Sequence, residues 1–142
     1  MRQSLIAVLA CIALSVACDN SGGDSSTSPT ATVVRTTDTY TGTVQPMSSD
    51  THNFNVSQAG QVDVTLTAAG PPSTIFMGLG VGSPSGGTCA FANGAGVGVN
   101  AQASSIPQIV GGTSSGGTFC VVVFDIGNQT GPVDYTVTVT HP

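Results

Sequence analysis

After position 40 apolar and polar residues alternate with period two along most of the chain. In His52-Asn53-Phe54-Asn55-Val56, Phe54 and Val56 share one face. Beyond a turn at Gln58-Ala59-Gly60, Val62, Val64 and Leu66 point one way, and Asp63, Thr65 and Thr67 the other. Strict alternation marks a strand with one buried and one wet face. Gly70-Pro71-Pro72 breaks the pattern, and Ile75 to Val81 resumes it as an apolar strand thinned by Gly78 and Gly80. Glycine inside a strand points to a bulge or a close backbone approach. Residues 82–100 are Gly-rich and read as a loop with a short strand around Cys89 to Phe91. Ile106 to Val110 reads as a short strand whose Pro107 assigns it to an edge.

The last two elements carry the clearest signals. Phe119-Cys120-Val121-Val122-Val123-Phe124 is continuously apolar, as expected of a central strand covered on both faces. After a turn at Gly127-Asn128, Val133, Tyr135, Val137 and Val139 alternate with Asp134, Thr136, Thr138 and Thr140. That alternation puts Tyr135 in the core. No stretch after Cys18 has a helical apolar period. Seven or eight short antiparallel strands separated by regular turns predict an all-β sandwich over residues 38–142.

The N-terminal segment reads differently. Arg2 is followed by an apolar run from Leu5 to Val16, and Ser15-Val16-Ala17-Cys18 resembles a bacterial lipobox. That resemblance implies a lipoprotein signal peptide over residues 1–17 and acylation of Cys18. The plainer readings are a secretory signal peptide cut near Ala17, or a short membrane anchor. The anchor is disfavoured because a bilayer span needs about 20 apolar residues. Val8-Leu9-Ala10-Cys11 is a second match, but it leaves too short an apolar run before it. Residues 18–37 then form the lipidated Cys and a flexible Ser/Thr/Gly tether.

Composition narrows the chemistry. The 142 residues suit one domain, and only 6 % are charged. Lys and Glu are absent, and the only cations are Arg2 and Arg35. This excludes a Lys nucleophile, a Walker-type phosphate loop and a basic nucleic-acid footprint. With Arg35 assigned to the tether, the sandwich is expected to carry no cation. Cleavage would remove Cys11 and acylation would consume Cys18, which leaves Cys89 and Cys120. In an exported domain these two are expected to form a disulfide, contributing about 3.5–4 kcal/mol by chain entropy. The competing readings are buried free thiols or a metal pair. Neither Cys has a second one at short spacing, which argues against zinc.

Candidate catalytic patterns are weak. Gly112-Thr113-Ser114-Ser115-Gly116 fits G-x-S-x-G, but a strand follows where that motif needs a helix. Gly96-Val97-Gly98-Val99-Asn100-Ala101 imitates a dinucleotide loop without its helix. His52 reads as a strand residue near the end of the sandwich and His141 as an exposed terminal residue, with no carboxylate placed to orient either. A calcium site is the sharper idea. Asp125, Asn128 and Asp134 flank the last turn, and Asp38 and Asp50 lie at early strand ends. Against it, Asp and Asn are the usual turn residues, and no EF-hand-type loop is present. No other cofactor is implied. Asn55-Val56-Ser57 and Asn128-Gln129-Thr130 are glycosylation sequons by pattern only.

Several stretches together resemble bacterial pre-peptidase C-terminal domains. They are Asp50-Thr51-His52-Asn53-Phe54-Asn55-Val56, Ala59-Gly60-Gln61-Val62-Asp63-Val64-Thr65-Leu66, Gly117-Thr118-Phe119-Cys120-Val121-Val122-Val123 and Gly131-Pro132-Val133-Asp134-Tyr135-Thr136-Val137-Thr138-Val139. The resemblance covers residues 38–142 and implies a jelly-roll-like sandwich used as an accessory module beside secreted peptidases and other exported enzymes. Relatives in that family bind collagen, polysaccharide or calcium. The expectation is therefore a non-catalytic cell-envelope lipoprotein, held at the inner or outer membrane by its lipid, with its domain in the periplasm or outside the cell. Its partners would be polysaccharide, protein or a secreted hydrolase that it assists or inhibits in trans.

Overall fold

The computed structural model describes residues 32–142 apart from Asn93 and Ala95. The signal peptide over residues 1–17, Cys18 and the first part of the tether lie outside the described residues. Nine strands follow: β1 (Thr36–Val44), β2 (Ser49–Val56), β3 (Gly60–Gly70), β4 (Phe76–Ser85), β5 (Thr88–Ala90), β6 (Val97–Gln102), β7 (Ile109–Thr113), β8 (Gly117–Phe124) and β9 (Val133–His141). All pairings are antiparallel. One sheet has the order β1-β9-β3-β7; in the other, β2-β8-β4 continues to β5 at one end of β4 and to β6 along the rest. Most connections cross from sheet to sheet, a jelly-roll-like winding.

The core lies between the sheets, and alternation put it there. Val133, Tyr135, Val137 and Val139 of β9 face Phe54, Val56, Met77, Leu79, Val121 and Val123, all buried. The predicted two-sided burial of β8 holds: Val121 and Val123 enter this core, while Cys120 and Val122 enter a second cluster on the outer face. The disulfide joins Cys89 to Cys120 with Cα atoms 5.6 Å apart.

The second cluster explains the glycines. Phe91 and Phe124 stack at 5.5 Å against the outer face of β4 and β6. A Cβ on Gly78 would run into the Phe124 ring, and one on Gly80 or Gly98 into the Phe91 ring. The glycines form a floor flat enough for two aromatic rings. This is the close backbone approach anticipated at Gly78 and Gly80.

Three boundaries differ from the sequence reading. Residues 82–100, taken as a loop with one short strand, hold the end of β4, all of β5 and the start of β6; the polar–apolar alternation of β6 breaks at Gly98, whose outward position is filled by the Phe91 ring. The strand placed at Ile106 to Val110 instead runs from Ile109 to Thr113, beyond Pro107, and it is an edge strand. β1 starts at Thr36 rather than residue 38, and Arg35 is not a free cation of the tether. Its guanidinium meets Asp63 Oδ2 at 2.8 Å and donates to Gln61 O and Thr140 O. Regular alternation on β1 extends to Thr36 because each of its residues from Thr36 to Val44 has a partner on β9.

Candidate functional site

Six titratable side chains gather along one edge of the sandwich, where β1 and β2 close the gap between the sheets. Tyr135 of β9 points inward, as its alternation required, and its ring is buried. Its hydroxyl donates to Asp50 Oδ2 at 2.7 Å and meets His52 Nε2 at 2.6 Å. A phenol has one proton, so with that proton given to Asp50 the Nε2–H of His52 is the donor in the second contact. Gly42 lies opposite Tyr135 on β1. A Cβ there would overlap Asp50 Oδ2 and the Tyr135 hydroxyl, so a glycine makes room for the hydrogen bond.

The network continues along the edge. Tyr40 stacks on the His52 imidazole with centroids 4.7 Å apart and planes 12° from parallel. Its hydroxyl donates to Asn53 O at 3.0 Å and lies 3.3 Å from Asp38 Oδ2. Asp38 in turn faces His141 Nε2 at 3.1 Å, and His141 Nδ1 faces the Pro142 main-chain oxygen at 3.0 Å. Two expectations are thereby corrected. His141 is 4 % exposed, not a solvent-facing terminal residue, because β9 carries it inward beside Phe54. Each histidine does have a carboxylate nearby: Asp38 for His141, and Asp50 for His52 at 3.7 Å and through Tyr135.

Electrostatics fixes what this edge can do. Burial, then the hydrogen bond and charge of Asp50, hold the Tyr135 phenol well above its ordinary range. Burial and the charge of Asp38 act the same way on Tyr40. Both phenols remain donors rather than phenolate nucleophiles at neutral pH. The six groups Asp50, Tyr135, His52, Tyr40, Asp38 and His141 pair with one another and brace the two edge strands.

No protein family, curated protein or solved structure matches the chain.

The remaining sequence candidates fall at separate places. Asp125 closes the β8–β9 turn: its Oδ1 accepts from the backbone N–H of Gly127, Asn128 and Gln129, and its Oδ2 from Met47 N at 2.8 Å. Asn128 donates from Nδ2 to Phe76 O, and Asp134 accepts from Thr43 Oγ1 at 2.6 Å. The first carboxylate is thus saturated with N–H donors, and the third sits on a strand surface. Among the described residues no group of three or more His, Cys, Asp or Glu side chains is placed to hold a metal ion. Ser114 lies in the bend between β7 and β8, with strand on both sides. Gly96 precedes β6, and Val97 to Ala101 lie within it.

Asp125 yields a pH prediction. Its backbone donors, that of Met47 foremost, lower its pKa from an ordinary 3.8. A depressed folded-state value means a contribution that is complete above the unfolded pKa and fades as pH falls through the folded one. Acid unfolding of the native chain should therefore show a component below about pH 4. Asp125→Ala should lack that component, measured as the difference in denaturation midpoint between pH 5 and pH 2.5.

Sequence reasoning missed the edge network because its members are far apart in the chain; Asp38 and His141 are 103 residues apart. One signal was available. Gly42 interrupts a Thr-rich β1, and a lone strand glycine marks a close approach.

Proposed function

We propose that this chain is a cell-envelope lipoprotein in which acylated Cys18 tethers a non-catalytic β-sandwich serving as a binding or structural module. The lipobox-like Ser15-Val16-Ala17-Cys18 carries the reading. Three features support it. The Cys89–Cys120 bridge suits an oxidising compartment outside the cytoplasm. The most polar cluster pairs its groups internally and keeps its phenols protonated, a bracing role rather than a nucleophilic one. The likeness of β2, β3, β8 and β9 to pre-peptidase C-terminal domains agrees with an accessory module.

The chain ahead of Thr36 enters beside His141, at one end of the sandwich. The opposite end carries the β1–β2, β3–β4 and β8–β9 connections, where Met47, Phe76 and Ile126 are exposed. Loops projecting from a rigid sandwich are the usual place for recognition. These apolar tips favour a protein surface as partner, which includes the second reading, a secreted hydrolase assisted or inhibited in trans.

Replacing Cys18 with Ser is expected to move the protein from the detergent-extracted membrane fraction to the soluble envelope fraction. Two acyl chains give stable anchoring and none gives no anchoring. Undiminished membrane retention of the Ser variant would overturn the lipoprotein reading.

A further inference from the structure

We infer that the sandwich holds a binding cavity for a small, uncharged, largely hydrocarbon molecule at its β6/β7 edge. The cavity measures about 340 Å³ and is lined by Phe54, Val62, Val81, Val97, Ile109 and Phe119. Gly111 creates it. On β7 this residue pairs with buried Val62 of β3, so both occupy inward positions. A Cβ at Gly111 would meet nothing within 4 Å. At Gly42, Gly78, Gly80, Gly82 and Gly98 a neighbour presses on the glycine; here the missing side chain leaves open space.

The facing strand shows the consequence. Val97 pairs with Val81 and belongs to the row that continues inward through Val99 and Ala101, yet it is 50 % exposed. An inward valine stays exposed because, among the described residues, none opposite covers it. The volume lies within the range of about 300–1,000 Å³ typical of small-molecule sites, and is roughly twice that of the ~150 Å³ apolar cavity able to admit benzene. Apart from Thr113 Oγ1 the lining side chains offer water no hydrogen-bond partner, so a largely apolar guest is favoured over solvent.

The absence of charge in the guest follows from its surroundings. None of the lining side chains is charged, and Thr113 is the one polar side chain among them. Arg35, the one Arg or Lys among the described residues, is already paired with Asp63. A carboxylate head would find no counterion here, whereas a plain hydrocarbon needs no partner and an alcohol can pair with Thr113 Oγ1, a buried lining hydroxyl that has none among the described residues. This inference is independent of Cys18 acylation.

The test is methyl-detected NMR on the full chain purified without detergent, titrated with 1-octanol and separately with sodium octanoate. Octanol is expected to shift the methyl signals of Val62, Val81, Val97 and Ile109 saturably. Octanoate should bind at least tenfold more weakly. Gly111→Leu, which fills the space at a position with ordinary backbone angles, should raise Tm and abolish the shifts. Val97→Asn, which places a polar group in the wall, should weaken octanol binding several-fold and serves if the Leu variant does not fold. No saturable shift in the native chain at millimolar octanol would overturn the proposal. So would unchanged affinity in the folded variants, equal binding of octanoate, or shifts confined to other methyls.

Discussion

Cys89→Ala/Cys120→Ala is expected to lose about 3.5–4 kcal/mol of stability. The bridge spans a sequence separation of 31 residues, and constraining a loop of that length in the unfolded chain accounts for the estimate. Packing adds to it. Cys120 is fully buried and Cys89 nearly so, in contact with Val122, Phe91 and Phe124. The bridge is the covalent tie between the short hairpin strand β5 and the middle of β8. Urea denaturation with a linear fit measures the change as a lower midpoint. Hydrogen exchange should localise the additional loosening to residues 83–91, because the main core between the sheets does not contain the bridge. A loss below about 1 kcal/mol would show that β5 is held by its neighbours alone and that the unfolded chain is already compact.

Gly82→Ala is expected to cost about 2–3 kcal/mol, although it adds a single methyl group. A Cβ at this position would overlap the carbonyl of Ala90 and crowd the Phe91 backbone. Backbone cannot swing aside as a flexible side chain can. Either β5 lifts from the sheet, or β4 shifts against β8, where Gly82 pairs with Cys120. The disulfide sits one residue from the overlap, so the two changes share a cause and should not add. With Cys89→Ala/Cys120→Ala already present, β5 is free to move, and Gly82→Ala should cost less than half as much. A double-mutant cycle from urea midpoints measures this coupling. Strict additivity would mean that the methyl group is accommodated by β4, not by the hairpin.

How much of this was readable from the residues depends on what each strand faces. β9 was legible from Val133 to Thr140 because a wet face of Thr and Asp alternates with a buried face of Val and Tyr; only the burial of its last residue, His141, was misread. β8 was legible as doubly covered because it has no wet face over Cys120 to Val123. β6 was obscured by a different circumstance: its outward row opens on Gly98, left without a side chain because the ring of Phe91 lies on it, directly after a Gly-rich stretch. A glycine run looks like a loop whether its emptiness is filled by solvent or by a neighbour. The Cys89–Cys120 pairing was anticipated by elimination, and the fold brings the two together.

The edge network was illegible for a further reason. Its contacts depend on the register of β1 on β9 and on which side chains meet across the gap between the sheets, and pairing at that distance leaves no local pattern. The apparent emptiness of positive charge was also misleading. A count places Arg35 outside the sandwich, whereas its guanidinium reaches three acceptors on β3 and β9. As an exposed ion pair it contributes little stability. It extends the ordered chain one residue ahead of β1.

The position of β1 gives the domain a mechanical direction. It enters at the end where Thr36 pairs with His141 and runs to Val44 at the far end, next to the exposed loops. If a partner grips those loops while the chain ahead of Thr36 is drawn the other way, tension runs along the strand axis. The antiparallel hydrogen bonds between β1 and β9 lie across that axis, so they are loaded together in shear rather than opened one after another. A grip near His141 would instead peel the same strand from its end under a much smaller load. By this geometry the β1–β9 pairing resists a pull between the two ends of the sandwich better than one applied at the His141 end alone.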